Sequence, residues 1–183
     1  NFILYFRNRS GVFFSLLGAL ISFLLYIIFL QKNLTDAWTQ LPDNTKLLNN
    51  WLMGGTLAVT GITTSFAALT QMVQDRENQV DQDLFLTDLG SWGLQVSYLI
   101  SSIIISFVMQ VFMFAVMSLY FRESPVISYL PEITLIMLLS SLLSSVVNIL
   151  LIYRFQSVDS LGKLATIVGT ASGFLVGTYI PIG

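Results

Sequence analysis

No cysteine and no histidine occurs among the 183 residues, and only 18 residues are charged, eight Lys or Arg and ten Asp or Glu. Without cysteine there are no disulfides and no thiolate metal sites. Without histidine the commonest metal ligand and proton shuttle is missing, so no metal, cofactor or catalytic residue is expected and the chain does not read as an enzyme. Charged residues are 10% of the chain, whereas a soluble domain needs about 25% to hydrate its surface. What is present instead is apolar. Hydrophobic residues make up 55% and the mean hydropathy is +0.78. The net charge of −2 favours neither sign, and no basic tract points to nucleic acid.

The few charges divide the chain into uncharged runs at 10–31, 47–74, 89–121, 133–153 and 164–183. Each matches the roughly 20 residues that a helix needs to cross a ~30 Å hydrocarbon core. Strand alternation is absent from Ile21–Leu30 and Ile133–Leu139, and in lipid only helices or closed barrels satisfy their own backbone. The expected fold class is therefore all-α, a polytopic transmembrane bundle with at least five spans. It forms a single transmembrane domain over 1–183, with spans near 11–31, 51–73, 96–120, 132–153 and 164–180. Trp51, Tyr120, Tyr129 and Tyr153 fall near span ends, where amphipathic rings suit the headgroup layer. Pro42, Pro125 and Pro131 lie in the connections. The chain starts at Asn1 and stops at Gly183 within an apolar stretch, and reads as a piece of a longer protein.

With the N-terminus in the cytoplasm, Arg7, Arg9, Arg76, Arg154 and Lys163 lie inside and Lys32, Lys46 and Arg122 outside. This distribution favours a multi-pass protein of the cytoplasmic membrane in that orientation. The 74–95 connection combines Asp75, Arg76, Glu77, Asp81, Asp83 and Asp88 with Val80, Leu84, Phe85, Leu86, Leu89 and Trp92. It is expected on the cytoplasmic side as a short amphipathic element. Taken alone, Asp75-Arg76-Glu77 reads first as a solvated cytoplasmic cap on the second span.

Small and hydroxyl residues crowd the spans. The second has Thr56, Thr60 and Thr63 among others, and the last carries Gly169, Gly173 and Gly177 four residues apart on one face. Such a face lets another backbone approach, either within one bundle or between subunits. Hydroxyls can bond back to a carbonyl one turn earlier and so are tolerated in lipid. Gln110 and Asn148 are costlier there, and each is expected to face protein or water. No Asp, Glu, Lys or Arg lies mid-span, which argues against a carrier with its own ion relay.

The order of these features resembles the membrane subunit of type-2 ABC exporters, permeases that work with a separate ATPase. That family has a basic amphipathic lead-in, here Tyr5-Phe6-Arg7-Asn8-Arg9. Its small-residue-rich second span runs into a cytoplasmic D-R-E-x-G segment, here Asp75-Arg76-Glu77-Asn78-Gln79, with Gln79 in place of glycine. The family's T-P is Thr87-Asp88 here. Its fifth span ends G-x-x-x-P, matched by Gly177-Thr-Tyr-Ile-Pro181. There is no G-x-x-x-x-G-K-[ST] phosphate loop, so the chain binds no nucleotide by that route, and the resemblance implies that ATP hydrolysis occurs on a partner.

The resemblance implies a coupling helix within 74–95 that docks on the ATP-binding subunit through Leu84, Phe85 and Leu86. It also implies a second permease subunit, and a path lined by the second and fifth spans. The cargo would be an amphipathic or lipid-like compound, a drug or a peptide. The reading from another class is a non-transporting membrane scaffold or sensor whose cytoplasmic loop binds a different partner.

Overall fold

The computed structural model describes residues 2–30, 44–80, 90–121 and 129–175, and among them there is no strand. The elements are α1 (Phe2–Arg7), α2 (Arg9–Leu25, continued by a π-helical turn Tyr26–Leu30), α3 (Asn44–Glu77), α4 (Gly90–Phe121), α5 (Leu130–Ile152) and α6 (Val158–Leu175). Four helical stretches are long and apolar enough to cross a membrane: Arg9–Ile28, Lys46–Glu77, Trp92–Phe121 and Leu130–Ile152. The fifth expected span is described only as far as Leu175, within α6. The second and third helices run beyond 51–73 and 96–120 at both ends, because the polar residues flanking those runs continue the helix.

Local chemistry explains the helix ends. Asn8 separates α1 from α2, and its Oδ1 accepts the Gly11 N–H at 3.0 Å, an N-cap bond. A side chain at Gly11 would strike the Asn8 amide, its Cβ lying 2.8 Å from Nδ2, so glycine leaves room for the cap. Pro131 opens α5 in the first turn, where its missing N–H costs nothing, and Glu132 beside it complements the positive end of the helix dipole.

α3 is the axis of the bundle. It packs against α2, α4, α5 and α6. Its spanning window is 61% buried within the chain, against 29–33% for the other three, so only α3 is enclosed mainly by protein. The others expose rows of large apolar side chains, such as Leu135, Leu139, Leu143, Val146 and Leu150 on α5. Water would hydrate such a surface at a cost and hydrocarbon would accept it. Exposed Trp51, Tyr120, Tyr129 and Tyr153 sit towards the helix ends.

Two apolar clusters lie at opposite ends of α3, with polar contacts between them. The first joins Leu16, Phe23 and Tyr26 of α2 to Leu48 and Leu52 of α3 and to Met109, Met113 and Met117 of α4. The methionines recur every four residues and so share one face. Phe23 meets Tyr120 and Phe121 edge-on, with centroids 5.6 and 5.9 Å apart. The second cluster joins Phe66, Leu69, Met72 and Val73 of α3 to Tyr98, Ile152 and Leu161.

Between them runs a polar seam. Asn148 Nδ2 donates to the Ile62 carbonyl (2.8 Å) and to Ser65 Oγ (2.7 Å). Ser102 Oγ donates to Ser145 Oγ (2.8 Å), and Ser106 Oγ donates to the Gly61 carbonyl (3.0 Å). These bonds join α3 to α4, α3 to α5, and α4 to α5 halfway along α3. By contrast, Thr60 and Thr64 bond back within α3, to the Thr56 carbonyl (2.7 Å) and the Thr60 carbonyl (2.6 Å). Interhelical bonds of this kind contribute about 0.6–2 kcal/mol each in a membrane. Asn148→Leu is therefore expected to destabilise the bundle by about 1 kcal/mol, measured by SDS titration of the protein in mixed micelles. Thr60→Val, which removes only a back-bond within one helix, should cost distinctly less; equal costs would remove the seam from the account.

Candidate functional site

At the end of α3 farthest from Lys46, three consecutive charged residues each reach a different helix. Asp75 accepts the Gln71 amide (2.7 Å) from one turn earlier and the hydroxyl of Tyr98 on α4. Arg76 donates from Nη1 to the Tyr153 carbonyl at the end of α5 (3.0 Å), and its guanidinium lies over the Tyr153 ring, 5.4 Å from the centroid. Glu77 Oε2 accepts the Val158 N–H at the start of α6 (3.0 Å).

Each contact answers a particular need. The Tyr153 carbonyl belongs to the C-terminal end of α5, where carbonyls lack helical partners and the dipole is negative, so a guanidinium suits it. The Val158 N–H is an orphan donor at the positive end of α6, so a carboxylate suits it. Tyr98 is a buried aromatic whose hydroxyl finds an acceptor in Asp75. One turn of α3 thus fastens α4, α5 and α6 together.

α3 then stops abruptly. Asn78 N–H bonds to the Gln74 carbonyl and Gln79 N–H to the Arg76 carbonyl, both at 3.0 Å. Gln79 has φ +59°, the left-handed conformation, and among the described residues it is the only non-glycine with positive φ. A side chain costs about 1–2 kcal/mol there, which is why glycine commonly fills this position after a helix.

The lead-in lies at the same end of the molecule. Tyr5 shares a hydrogen bond with Ser15 (2.7 Å), and burial pushes the Tyr5 hydroxyl above its ordinary pKa while that bond opposes the shift. A cavity of about 210 Å³ between α1, α3 and α4 is lined by Tyr5, Asn8, Gln71, Gln74 and Tyr98 among others, so the lead-in lies close to the triplet's neighbours.

The remaining expected site residues are dispersed. Leu84, Phe85, Leu86 and Gly177 lie outside the described residues, as do Thr87 and Asp88. Thr56 and Thr60 are fully buried on α3. The Thr56 hydroxyl has no partner among the described residues, and Thr63 bonds back to the Val59 carbonyl (2.9 Å). Gly173 is buried, but a Cβ at Gly169 would meet nothing within 4 Å, so no other part of the described chain approaches α6 there.

Sequence reasoning missed Tyr98, Tyr153 and Val158 as partners of the triplet. The only available signal was a tyrosine near the start of one span and another at the end of the next. Compared with protein-family models, curated proteins and solved structures, the chain matches none.

Two outcomes are expected. Glu77→Ala should release the first turn of α6, raising amide exchange at Val158–Leu161 about fivefold, the usual loss for a removed cap, while exchange within the seam stays unchanged. Gln79→Gly should stabilise the protein by about 0.5–1 kcal/mol, read as a higher melting temperature in detergent, since the relieved strain exceeds glycine's added chain entropy. A lower melting temperature would contradict the left-handed turn.

Proposed function

We propose that the chain is the membrane (permease) subunit of a type-2 ABC exporter. It lies multi-pass in the cytoplasmic membrane with its N-terminus in the cytoplasm. The observation that carries this reading is the fastening of α4, α5 and α6 to one turn of α3, immediately before a sharp left-handed turn. In an exporter without its own ATPase, force must enter through a cytoplasmic segment and reach several spans at once. Residues 78–89 follow directly on Glu77, so a displacement of that segment bears on the ends of three other helices. The left-handed position also supports the reading, because Gln79 stands where the resembling family has glycine.

In this reading 74–95 docks on an ATP-binding subunit through Leu84, Phe85 and Leu86. Closure of the ATPase dimer tilts α3 with its three attached neighbours, giving alternating access. The chain hydrolyses nothing itself. In this reading the run 164–180 serves as the fifth span. The cargo is amphipathic or lipid-like, a drug or a peptide, in keeping with spans that carry no mid-depth charge. A second permease subunit packs along Gly169, Gly173 and Gly177. Gly169, where a Cβ meets nothing within 4 Å, is the part of that face that supports an approach by a second copy, whereas Gly173 is buried within the described chain.

Two experiments test this. Phe85→Asp places a charge in the coupling contact and should reduce co-purification of the ATP-binding subunit at least tenfold, since losing an apolar anchor costs on the order of 2 kcal/mol. Unchanged co-purification and export would favour the scaffold reading. A Cβ at Gly169 meets nothing within 4 Å among the described residues, so Gly169→Leu should leave helix content unchanged yet lose crosslinking between cysteines at position 162, two turns earlier on the same face and equally open, in two copies. Retained crosslinking would place the second copy elsewhere.

A further inference from the structure

A cavity of about 480 Å³ lies between the first half of α3, the second half of α4 and the first half of α5. It falls within the 300–1,000 Å³ of small-molecule sites. It is distinct from the triplet, which sits at the other end of α3. Its walls are mostly apolar, formed by Met53, Leu57, Phe114, Ile133, Ile136 and Met137. Its two ends are polar and unlike each other.

At the outer end the exposed Lys46 lines the cavity and forms no ion pair with any described residue. At the inner end lies Gln110, fully buried, with neither its amide nitrogen nor its amide oxygen hydrogen-bonded to any described residue. A Cβ at Gly61 would come within 2.2 Å of Gln110 Nε2, so the amide rests directly on the α3 backbone. Buried amides are nearly always paired. This one lies one helical turn beyond the seam residue Ser106, yet takes no part in the seam. Gln110 is also one of the residues that line the cavity, so a turn of its flexible side chain would bring the amide to a ligand there.

We propose that this cavity binds an elongated amphiphile with an acidic head group at Lys46 and a hydroxyl or similar group within its apolar body at Gln110. The fit follows from the spacing. From Lys46 to Gly61 is 15 residues, about 22 Å along α3 at 1.5 Å per residue, and the extended lysine side chain spans part of that length. A long-chain carboxylate bearing a hydroxyl partway along matches both ends, whereas an unsubstituted chain leaves Gln110 buried and unpaired. The proposal stands independently of the permease reading.

Ricinoleate and oleate differ by one such hydroxyl, and are the probes. The full chain in phosphatidylcholine nanodiscs should bind radiolabelled ricinoleate about tenfold more tightly than oleate, the usual effect of leaving a buried polar group unpaired. Gln110→Leu should abolish that preference. Lys46→Gln should weaken both. A Cβ at Gly54, which lines the cavity, meets nothing within 4 Å. Gly54→Phe therefore adds bulk at the cavity wall from a position whose Cβ is unobstructed, and should remove binding of both probes while helix content and monodispersity stay unchanged. Equal affinity for the two probes in the unaltered chain would mean that water satisfies Gln110 and would overturn the proposal. So would a preference that survives Gln110→Leu, binding that survives Gly54→Phe, or no saturable binding at all.

Discussion

The arrangement depends on one constraint: mid-span polar side chains of α4 and α5 take their hydrogen-bond partners from α3. The Asn148 amide of α5 and the Ser106 hydroxyl of α4 would lose these partners if α3 stood at the edge of the bundle, whereas the Thr60 and Thr64 hydroxyls bond back within α3 itself. Enclosure of α3 by α2, α4, α5 and α6 keeps these partners within reach. The close approach permitted at Gly61 brings Ser106 of α4 onto its carbonyl, and Asn148 of α5 reaches the next turn through the Ile62 carbonyl and Ser65. With little hydrophobic drive between helices in lipid, such bonds and the packing around them fix which helix lies beside which.

The seam also divides the molecule into two structurally different halves. Towards Lys46 the helices part to leave the large cavity, and the methionine face of α4 packs on α2 and α3. Met side chains adapt to irregular space, which suits a region beside an open site. Towards Glu77 the helices are tied at their ends by charged groups that match helix dipoles. The half that holds the cavity and the half that carries the charged turn share α3, so a tilt of that one helix moves both.

The all-helical class was legible because charge is so sparse that the uncharged runs stand out at membrane-spanning length. Gln110 and Asn148 were legible as residues that must face something polar, since nothing else in their spans costs as much in lipid. For Asn148 the structure supplies Ser65 and Ile62; for Gln110 it supplies no partner among the described residues, and that difference marks the cavity. The triplet was legible as a motif but its partners were not. They lie 23, 77 and 81 residues away, and two of the three contacts engage backbone groups that any sequence would provide. The left-handed turn at Gln79 was equally hidden from composition, because glutamine gives no sign of it; only the resemblance put a glycine position there. The cavity is lined by residues of three helices far apart in sequence, Gly54, Gln110 and Ile133 among them, a juxtaposition that helical periodicity does not encode.

If α3's polar groups position its neighbours, Ser65 and Asn148 must stabilise the bundle jointly rather than separately. A double-mutant cycle with Ser65→Ala and Asn148→Leu, read by SDS unfolding in mixed micelles, measures this directly. The account predicts a coupling energy of about 0.6–1.7 kcal/mol, the range found for hydrogen bonds between membrane helices. Additive effects, with no coupling between the two substitutions, would contradict it.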